Sequence, residues 1–234
     1  MVAPVEKLLD KAVAIPSATI HAHVQKVRSR NPHATPEQVV RLLEKEYLAV
    51  VQVAGGAVGA VAAAPAVGTG TAFALTVSDV ATFFGASAAF ALAVASVHGI
   101  DVADTDRRKA LLLASILGES GAAAVQDAAG IGSVRVARSL LTRMPLATVR
   151  KVNSTLTRRM IRRQVAKQGG LALGRLAPFG IGLAIGVAGG RALAHTVIDG
   201  SRIAFGPAPA VFPEMLVIAP TAPQIPTAPH IERR

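Results

Sequence analysis

The sequence contains no cysteine and no tryptophan, and tyrosine occurs only once, at Tyr47. Without cysteine the chain cannot form disulfide bonds, thiolate zinc sites or a thiol nucleophile. Tryptophan and tyrosine are typically enriched where transmembrane helices meet the two membrane interfaces. Their scarcity here argues against a standard polytopic transporter or channel and favours shallow or conditional insertion.

Acidic residues are absent from the stretch 135–175, which holds eleven of the 25 Lys and Arg residues. The other fourteen basic residues are balanced by the fourteen acids, so this stretch carries the formal net charge of +11. Charge of either sign is nearly absent from 47–100, where Asp79 is the only charged residue. A basic block beside long apolar segments is typical of a protein that contacts an anionic bilayer.

Helical patterns account for most of the chain, and no alternating pattern typical of a strand occurs in it. Thr35-Pro36-Glu37-Gln38 predicts a helix start with a capping box, in which the Thr and Gln side chains bind each other's backbone N–H. Glycine and proline separate three apolar segments, 53–64, 69–98 and 176–198. We therefore predict an all-α fold, a compact bundle of small-residue-rich, largely apolar helices.

Composition divides the chain into three parts. Residues 1–34 are expected to form an N-terminal polar helical segment, 35–205 a helical domain, and 206–234 a flexible Pro-rich tail. Within the tail, four prolines recur at every third residue from Pro220 to Pro229, a period that suits polyproline II. A role as an adaptor through this tail is one function that the sequence leaves open.

The basic block contains an amphipathic helix whose apolar face is formed by Val149, Val152, Leu156 and Met160. The candidate lipid- or partner-binding residues are the cations beside that face: Arg150, Lys151, Arg158, Arg159, Arg162 and Arg163. Binding to a lipid surface needs an apolar face next to the cations, and this helix supplies one. Two alternatives stay open. In the first, the helix packs on the core by its valines and its cations are simply solvated. In the second, the cations bind nucleic acid, which is not expected because the block lacks aromatic residues for base stacking.

Two features of the apolar segments suggest specific roles. Gly182, Gly186 and Gly190 recur at four-residue steps, which lets helices approach closely, either within the chain or between copies of a homo-oligomer. Asp79 is a possible buried acid, and an acid in an apolar helix requires a partner. We weigh a coupling or gating role for Asp79 against a structural pair, which is the commoner cause of a buried acid.

The sequence predicts no catalytic, cofactor or metal site. His21 and His23 are two residues apart, so a helix would point them in different directions and disfavour a shared metal. The acids between Asp101 and Asp106 lack the spacing of an EF-hand, and Gly68-Thr69-Gly70 lacks the Lys-Ser/Thr of a P-loop. No Ser-His-Asp order can be defended from the scattered candidates.

Several short motifs carry a resemblance to a known family. They are Thr35-Pro36 through Tyr47, Gly59-Ala60 to Pro65, Val67-Gly68-Thr69, His98-Gly99-Ile100 with Asp104 and Arg107-Arg108, Leu176-Ala177-Pro178-Phe179-Gly180-Ile181-Gly182, and Arg202-Ile203-Ala204-Phe205-Gly206-Pro207. In these motifs the chain resembles actinobacterial members of the EcsC family over residues 30–213. That family is named after a gene beside those of an ABC transporter linked to protein secretion and is usually described as membrane-associated. The resemblance implies a helical, membrane-linked protein with a membrane transport or secretion component as a partner, and it implies no specific activity.

The sequence therefore favours a non-enzymatic, membrane-associated helical protein that binds anionic membrane lipids or a membrane protein partner. Its expected location is the cytoplasmic face of the cell membrane, because positively charged segments stay on that side. The alternative is a soluble helical enzyme or carrier with a buried apolar ligand pocket.

Overall fold

The computed structural model describes residues 2–62, 69–129, 144–171, 181–214 and 216–218. Within these ranges, side-chain surroundings are described for residues 6–54, 80–127, 144–162 and 189–214. The described residues form eight α-helices and two short strands: α1 (Val2–Val13), α2 (Ser17–Arg30), α3 (Pro36–Ala62), α4 (Thr69–Val97), β1 (Ile100–Val102), α5 (Thr105–Leu117), α6 (Glu119–Ala129), α7 (Leu146–Leu171), α8 (Ile181–Phe205) and β2 (Leu216–Ile218). The predicted all-α fold class is confirmed.

The second half of α4 is the centre of the bundle. It packs against α1, α2, α3, α5 and α8. Most of its buried side chains are small, as at Ala88, Ala91 and Ala95, so neighbouring helices can approach its axis closely. The first two helices, which belong to the predicted polar segment 1–34, contribute buried residues such as Leu9 and Val24 to the same core.

The start of α3 has the predicted capping box. The backbone N–H of Thr35 donates to Gln38 Oε1 at 2.8 Å, and the N–H of Gln38 donates to Thr35 Oγ1 at 3.3 Å. These two bonds satisfy backbone donors that a helix start would otherwise leave open.

α3 and α4 form an antiparallel pair. The ring of Tyr47 in α3 stacks on Phe90 in α4 with 4.8 Å between centroids, and its hydroxyl lies 2.8 Å from Ser87 Oγ. Burial raises the pKa of Tyr47 far above its ordinary value, and the hydrogen bond with Ser87 opposes this shift. The Tyr47 hydroxyl is therefore protonated at any physiological pH and acts as a structural hydrogen-bonding group.

α3 and α8 also run antiparallel and in close contact. A Cβ atom added at Gly190 would lie 3.0 Å from the carbonyl oxygen of Val51, while Arg202 near the end of α8 binds Glu44 nearer the start of α3. At Gly190, α8 thus lies close to the backbone of α3. Gly182 and Gly186 belong to the same helix, but their surroundings lie outside the described side chains.

A still closer helix approach occurs at a glycine that the ladder does not include. A Cβ atom at Gly200 would overlap the carbonyl oxygen of Ser115, where α8 crosses α5. Gly200 follows Gly190 by ten residues, so it does not belong to the four-residue pattern of the ladder. Its role is to let the backbones of α5 and α8 touch.

Replacing Gly200 with alanine is expected to lower the free energy of unfolding by about 3 kcal/mol, because the backbone of α5 must move away from the added methyl group. Gly189→Ala is the matched control, since a Cβ atom there meets nothing within 4 Å. That variant should gain roughly 0.5–1 kcal/mol from helix propensity. Urea unfolding followed by circular dichroism measures both, and equal stability of the two variants would contradict the close approach.

Residues 206–214 and 216–218, which the sequence analysis assigns to a flexible tail, pack on the bundle. β2 pairs with β1 in parallel register, with Ile100 opposite Leu216. The Phe212 ring packs at the edge of the core, with the Arg28 guanidinium 3.8 Å from its centroid. A three-residue strand is too short to show alternation, which is why the sequence predicted none. The prolines from Pro220 to Pro229 lie outside the described residues.

Candidate functional site

The apolar face of α7 is buried inside the protein. Val149, Val152, Leu156 and Met160 are all shielded from solvent where α7 packs on α5 and α6. This corrects the expectation that the face is free to enter lipid. The sequence pattern identified a buried face correctly, but the core of the protein covers it, as in the alternative of a helix packed by its valines.

The described cations of α7 are exposed to solvent, and they differ in their partners. Arg150 Nε donates to Asp106 Oδ2 at 2.8 Å, and this hydrogen bond raises the pKa of the guanidinium. Arg159 Nη1 donates to the carbonyl oxygen of Ser120 at 3.1 Å. Both contacts hold the α7 cations against α5 and the start of α6. The side chain of Arg163 lies outside the described residues.

Lys151, Arg158 and Arg162 form the remaining group, which we call the basic stripe. All three side chains are exposed, and spacings of seven and four residues place them on one side of α7. Within the described part of the chain they take part in no ion pair. The basic stripe therefore offers three cations to an external partner.

The direction of α7 shows which end of the bundle the basic stripe approaches. Arg150 contacts Asp106 at the start of α5, and Arg159 contacts Ser120 just beyond its end, so α7 runs parallel to α5. α5 and α8 are antiparallel, because Ser115 lies against Gly200 and Gly118 lies near Thr196. The C-terminal half of α7 therefore points towards the end where α8 begins.

Three helices meet at that end with uncharged segments. Since α3 is antiparallel to both α4 and α8, the end of α3 lies beside the starts of the other two. We define the apolar end as residues 53–62 of α3, 69–78 of α4 and 181–190 of α8, none of which is charged. Asp79 follows the α4 segment directly, and its side chain lies outside the described residues.

Exposed apolar side chains mark the edge of the apolar end. Val53 is 74% exposed, and Val50 in α3 and Leu193 in α8 are also exposed. Val53 is the first residue of the uncharged segment of α3, and Val50 and Leu193 lie three residues outside the uncharged segments of α3 and α8. Single exposed apolar residues are ordinary, but these three lie within about two helical turns of the Gly190–Val51 contact, beside the uncharged helix ends.

Two cations, Arg162 of α7 and Arg191 of α8, lie near the level of this edge, whereas Lys151 is about 16 Å from Arg162 along α7. Arg159 contacts Ser120, which follows Gly118 by two residues. Gly118 lies next to Thr196 of α8, so Arg159 is near the height of Thr196 in the bundle. Arg162 is three residues further along α7, about 4.5 Å at the rise of a helix, which brings it near the height of Leu193. Arg191, also exposed, is one residue from Gly190. Sequence reasoning missed Arg191, although a lone cation directly after a long uncharged segment is a recognisable signal.

One helix in the described part of the chain is long and apolar enough to cross a membrane by length and composition, over Val80–Val97. Most of this segment is buried inside the bundle, and the core helix of a soluble protein has the same composition. Its charge-free sequence is therefore explained by contacts with α1, α2, α3 and α5.

The structure also brings together a Ser-His-Asp set. His21 Nδ1 lies 2.9 Å from Ser96 Oγ, and His21 Nε2 lies 3.4 Å from Asp101 Oδ1. The described surroundings of Ser96 do not favour an oxyanion. Ser96 is in the last turn of α4, where the helix dipole disfavours negative charge, and the nearby N–H of Gly99 already donates to the carbonyl oxygen of Ser96. We assign this set to structure, because it fastens α2 to the α4–β1 connection.

No group of three or more His, Cys, Asp or Glu residues among the described side chains could hold a metal ion. His23 instead pairs with Glu46 at 2.9 Å, which joins α2 to α3. Comparison with known proteins adds no assignment, since no family model matches the chain and neither a curated protein nor a solved structure matches it.

Proposed function

We propose that this protein is a non-enzymatic, membrane-associated helical protein that docks on an anionic bilayer. The apolar end enters the membrane, and the cations at its edge bind the headgroups. The observation that carries this proposal is that two exposed cations, Arg162 of α7 and Arg191 of α8, lie near the boundary of the uncharged helix ends. Cations beside an inserted apolar element are the usual arrangement of proteins that bind an anionic membrane surface.

The size of the apolar end supports insertion into one leaflet. From residue 53 to 62 of α3, and from 181 to 190 of α8, there are nine helical steps, about 14 Å in each case. The hydrocarbon core of a bilayer is about 30 Å thick, so one leaflet is about 15 Å. We therefore propose a monotopic protein. Three helix ends insert into one leaflet of the membrane, and the remainder of the bundle stays in water.

The sidedness and the partner follow from the same charges. Basic segments next to membrane-embedded helices remain on the cytoplasmic side, so we place the bundle at the cytoplasmic face of the cell membrane. The resemblance to the EcsC family is compatible with this location. We propose, on that resemblance alone, that a membrane transport or secretion component is the protein partner.

The Val53→Asp variant tests insertion. Val53 lies at the edge of the apolar end, and a carboxylate there must either enter the interface or prevent docking, so binding to vesicles with anionic lipid should weaken about tenfold or more. Val211→Asp is the matched control, because Val211 is exposed to almost the same degree, 73%, and lies in the segment that packs near α2. Liposome flotation measures both variants beside the unaltered protein.

The proposal predicts that Val211→Asp floats as the unaltered protein does. It is refuted if the unaltered protein stays at the bottom of the gradient with every lipid composition and salt concentration. Equal flotation of the two variants would place the membrane contact elsewhere on the surface.

A further inference from the structure

His195 lies close to the apolar end, on the exposed side of α8. It follows Gly190, the last residue of the uncharged α8 segment, by five helical steps, about 7.5 Å along the axis. Side chains of an α-helix lean towards its N-terminus, and α8 begins at the apolar end. The imidazole therefore leans towards the level of Arg191 and Leu193, where the proposed membrane contact begins.

The other histidines with described side chains lie at the opposite end of the bundle or are paired. His21 contacts the last turn of α4, and His98 directly follows that helix. His33 precedes the start of α3, whose other end belongs to the apolar end. His23 pairs with a carboxylate of α3 at 2.9 Å. Among the described side chains, His195 is thus the imidazole placed to respond to a membrane at the apolar end.

The charged groups around His195 do not change between pH 5.5 and pH 7.5. Those on α8 within one turn, and those on the neighbouring α6, are Arg191, Asp199, Glu119 and Asp127. Asp199 also pairs with Arg202 at 3.5 Å. On α3, α4 and α5, which pack on α8 as well, residues 47–62, 80–97 and 110–117 carry no charge. Arginine ordinarily stays protonated and carboxylates stay ionised in this range, so a change of charge here comes from the imidazole.

We propose that protonation of His195 strengthens docking on an anionic membrane, an inference that rests on the membrane function proposed above. Imidazole is the side chain whose charge ordinarily changes between pH 5 and pH 8. Its protonated form adds a cation beside Arg191, at the edge where the headgroups bind. The coupling is reciprocal, because the negative membrane favours the protonated imidazole as much as the protonated imidazole favours docking. Acidification therefore shifts the protein towards the membrane.

Flotation of the full chain with vesicles at pH 5.5 and pH 7.5 tests this proposal, using an anionic lipid whose phosphodiester headgroup stays ionised at both values. One additional cation at an anionic surface strengthens binding about fivefold when it is fully protonated. Since the imidazole titrates within the range, we expect about threefold tighter binding at pH 5.5. His195→Gln should lose this difference, because glutamine is uncharged at both values. His195→Arg should bind at pH 7.5 at least as tightly as the unaltered protein binds at pH 5.5.

His33→Gln is the matched control. His33 is also exposed, but it lies at the other end of α3, so this variant should keep the pH dependence of the unaltered protein. Equal binding of the unaltered protein at both pH values, or an unchanged pH dependence in His195→Gln, would overturn the role of His195 and leave docking itself intact. Absence of binding at both pH values and with every lipid composition would instead refute docking, and this inference with it.

Discussion

Replacing Arg108 with alanine is expected to lower the free energy of unfolding by about 4 kcal/mol, a large share of the stability of an ordinary domain. Its guanidinium, buried and only 7% exposed, donates to the carbonyl oxygens of Val13, Ile15 and Val102. It also donates to Ser17 Oγ at 2.5 Å. Without it, three carbonyl groups lose their partner in a buried position.

The position of Arg108 explains why the loss should be large. It joins the end of α1 and the start of α2 to β1, so one side chain holds the N-terminal helices on the bundle. Burial lowers the pKa of Arg108, and the charge of Asp101 opposes that shift. The residue keeps its proton at neutral pH, because an arginine side chain ordinarily stays protonated far above physiological pH.

Arg108→Lys and Arg158→Ala are the comparison variants for this measurement. Lysine keeps the charge but lacks the planar fork, so it should recover about half of the loss. Arg158 is exposed on α7, and its removal should change stability by less than about 0.5 kcal/mol. Denaturant unfolding in the absence of vesicles measures all three. A loss below about 1 kcal/mol for Arg108→Ala would mean that water replaces its bonds.

The contacts of Arg108 also show where the sequence is uninformative. The capping box at Thr35 and the all-α class were predictable, since both depend on residues close together in the chain. The bonds from Arg108 to Val13 and from Arg202 to Glu44 join residues 95 and 158 positions apart. No local pattern indicates such pairs, so the bonds that hold α1 on the bundle and join α3 to α8 could be found only in three dimensions.

The apolar patterns were informative in a more restricted way. A 3.6-residue period at Val149–Met160 indicates that one face of a helix is buried, but lipid and protein give the same period. The same holds for Val80–Val97, whose composition fits a membrane span and whose surroundings are protein. What the sequence could not provide was the relative direction of α3, α7 and α8, which brings cations and uncharged ends to one level.

The double variant Arg158→Glu/Arg162→Glu tests the electrostatic part of the membrane proposal. Each cation near an anionic surface contributes about 1 kcal/mol, and reversing two of them changes the charge by four units, so vesicle binding should weaken about a thousandfold. Neither side chain has an ion-pair partner among the described residues, so the fold should be unaffected. Vesicle sedimentation at low salt, with and without anionic lipid, measures the effect.

Lys26→Glu/Arg30→Glu is the control with an identical change in net charge. Both side chains are exposed on α2, whose C-terminal end lies beside the start of α3, away from the apolar end. If the cations bind headgroups locally, this control retains most of its vesicle binding, whereas a general effect of net charge weakens both variants equally. Raised salt should weaken binding of the unaltered protein but should not weaken binding of the α7 variant, because salt also screens the repulsion between the introduced glutamates and anionic lipid. Equal behaviour of the two variants would remove the basic stripe from the docking surface and leave the apolar end to act alone.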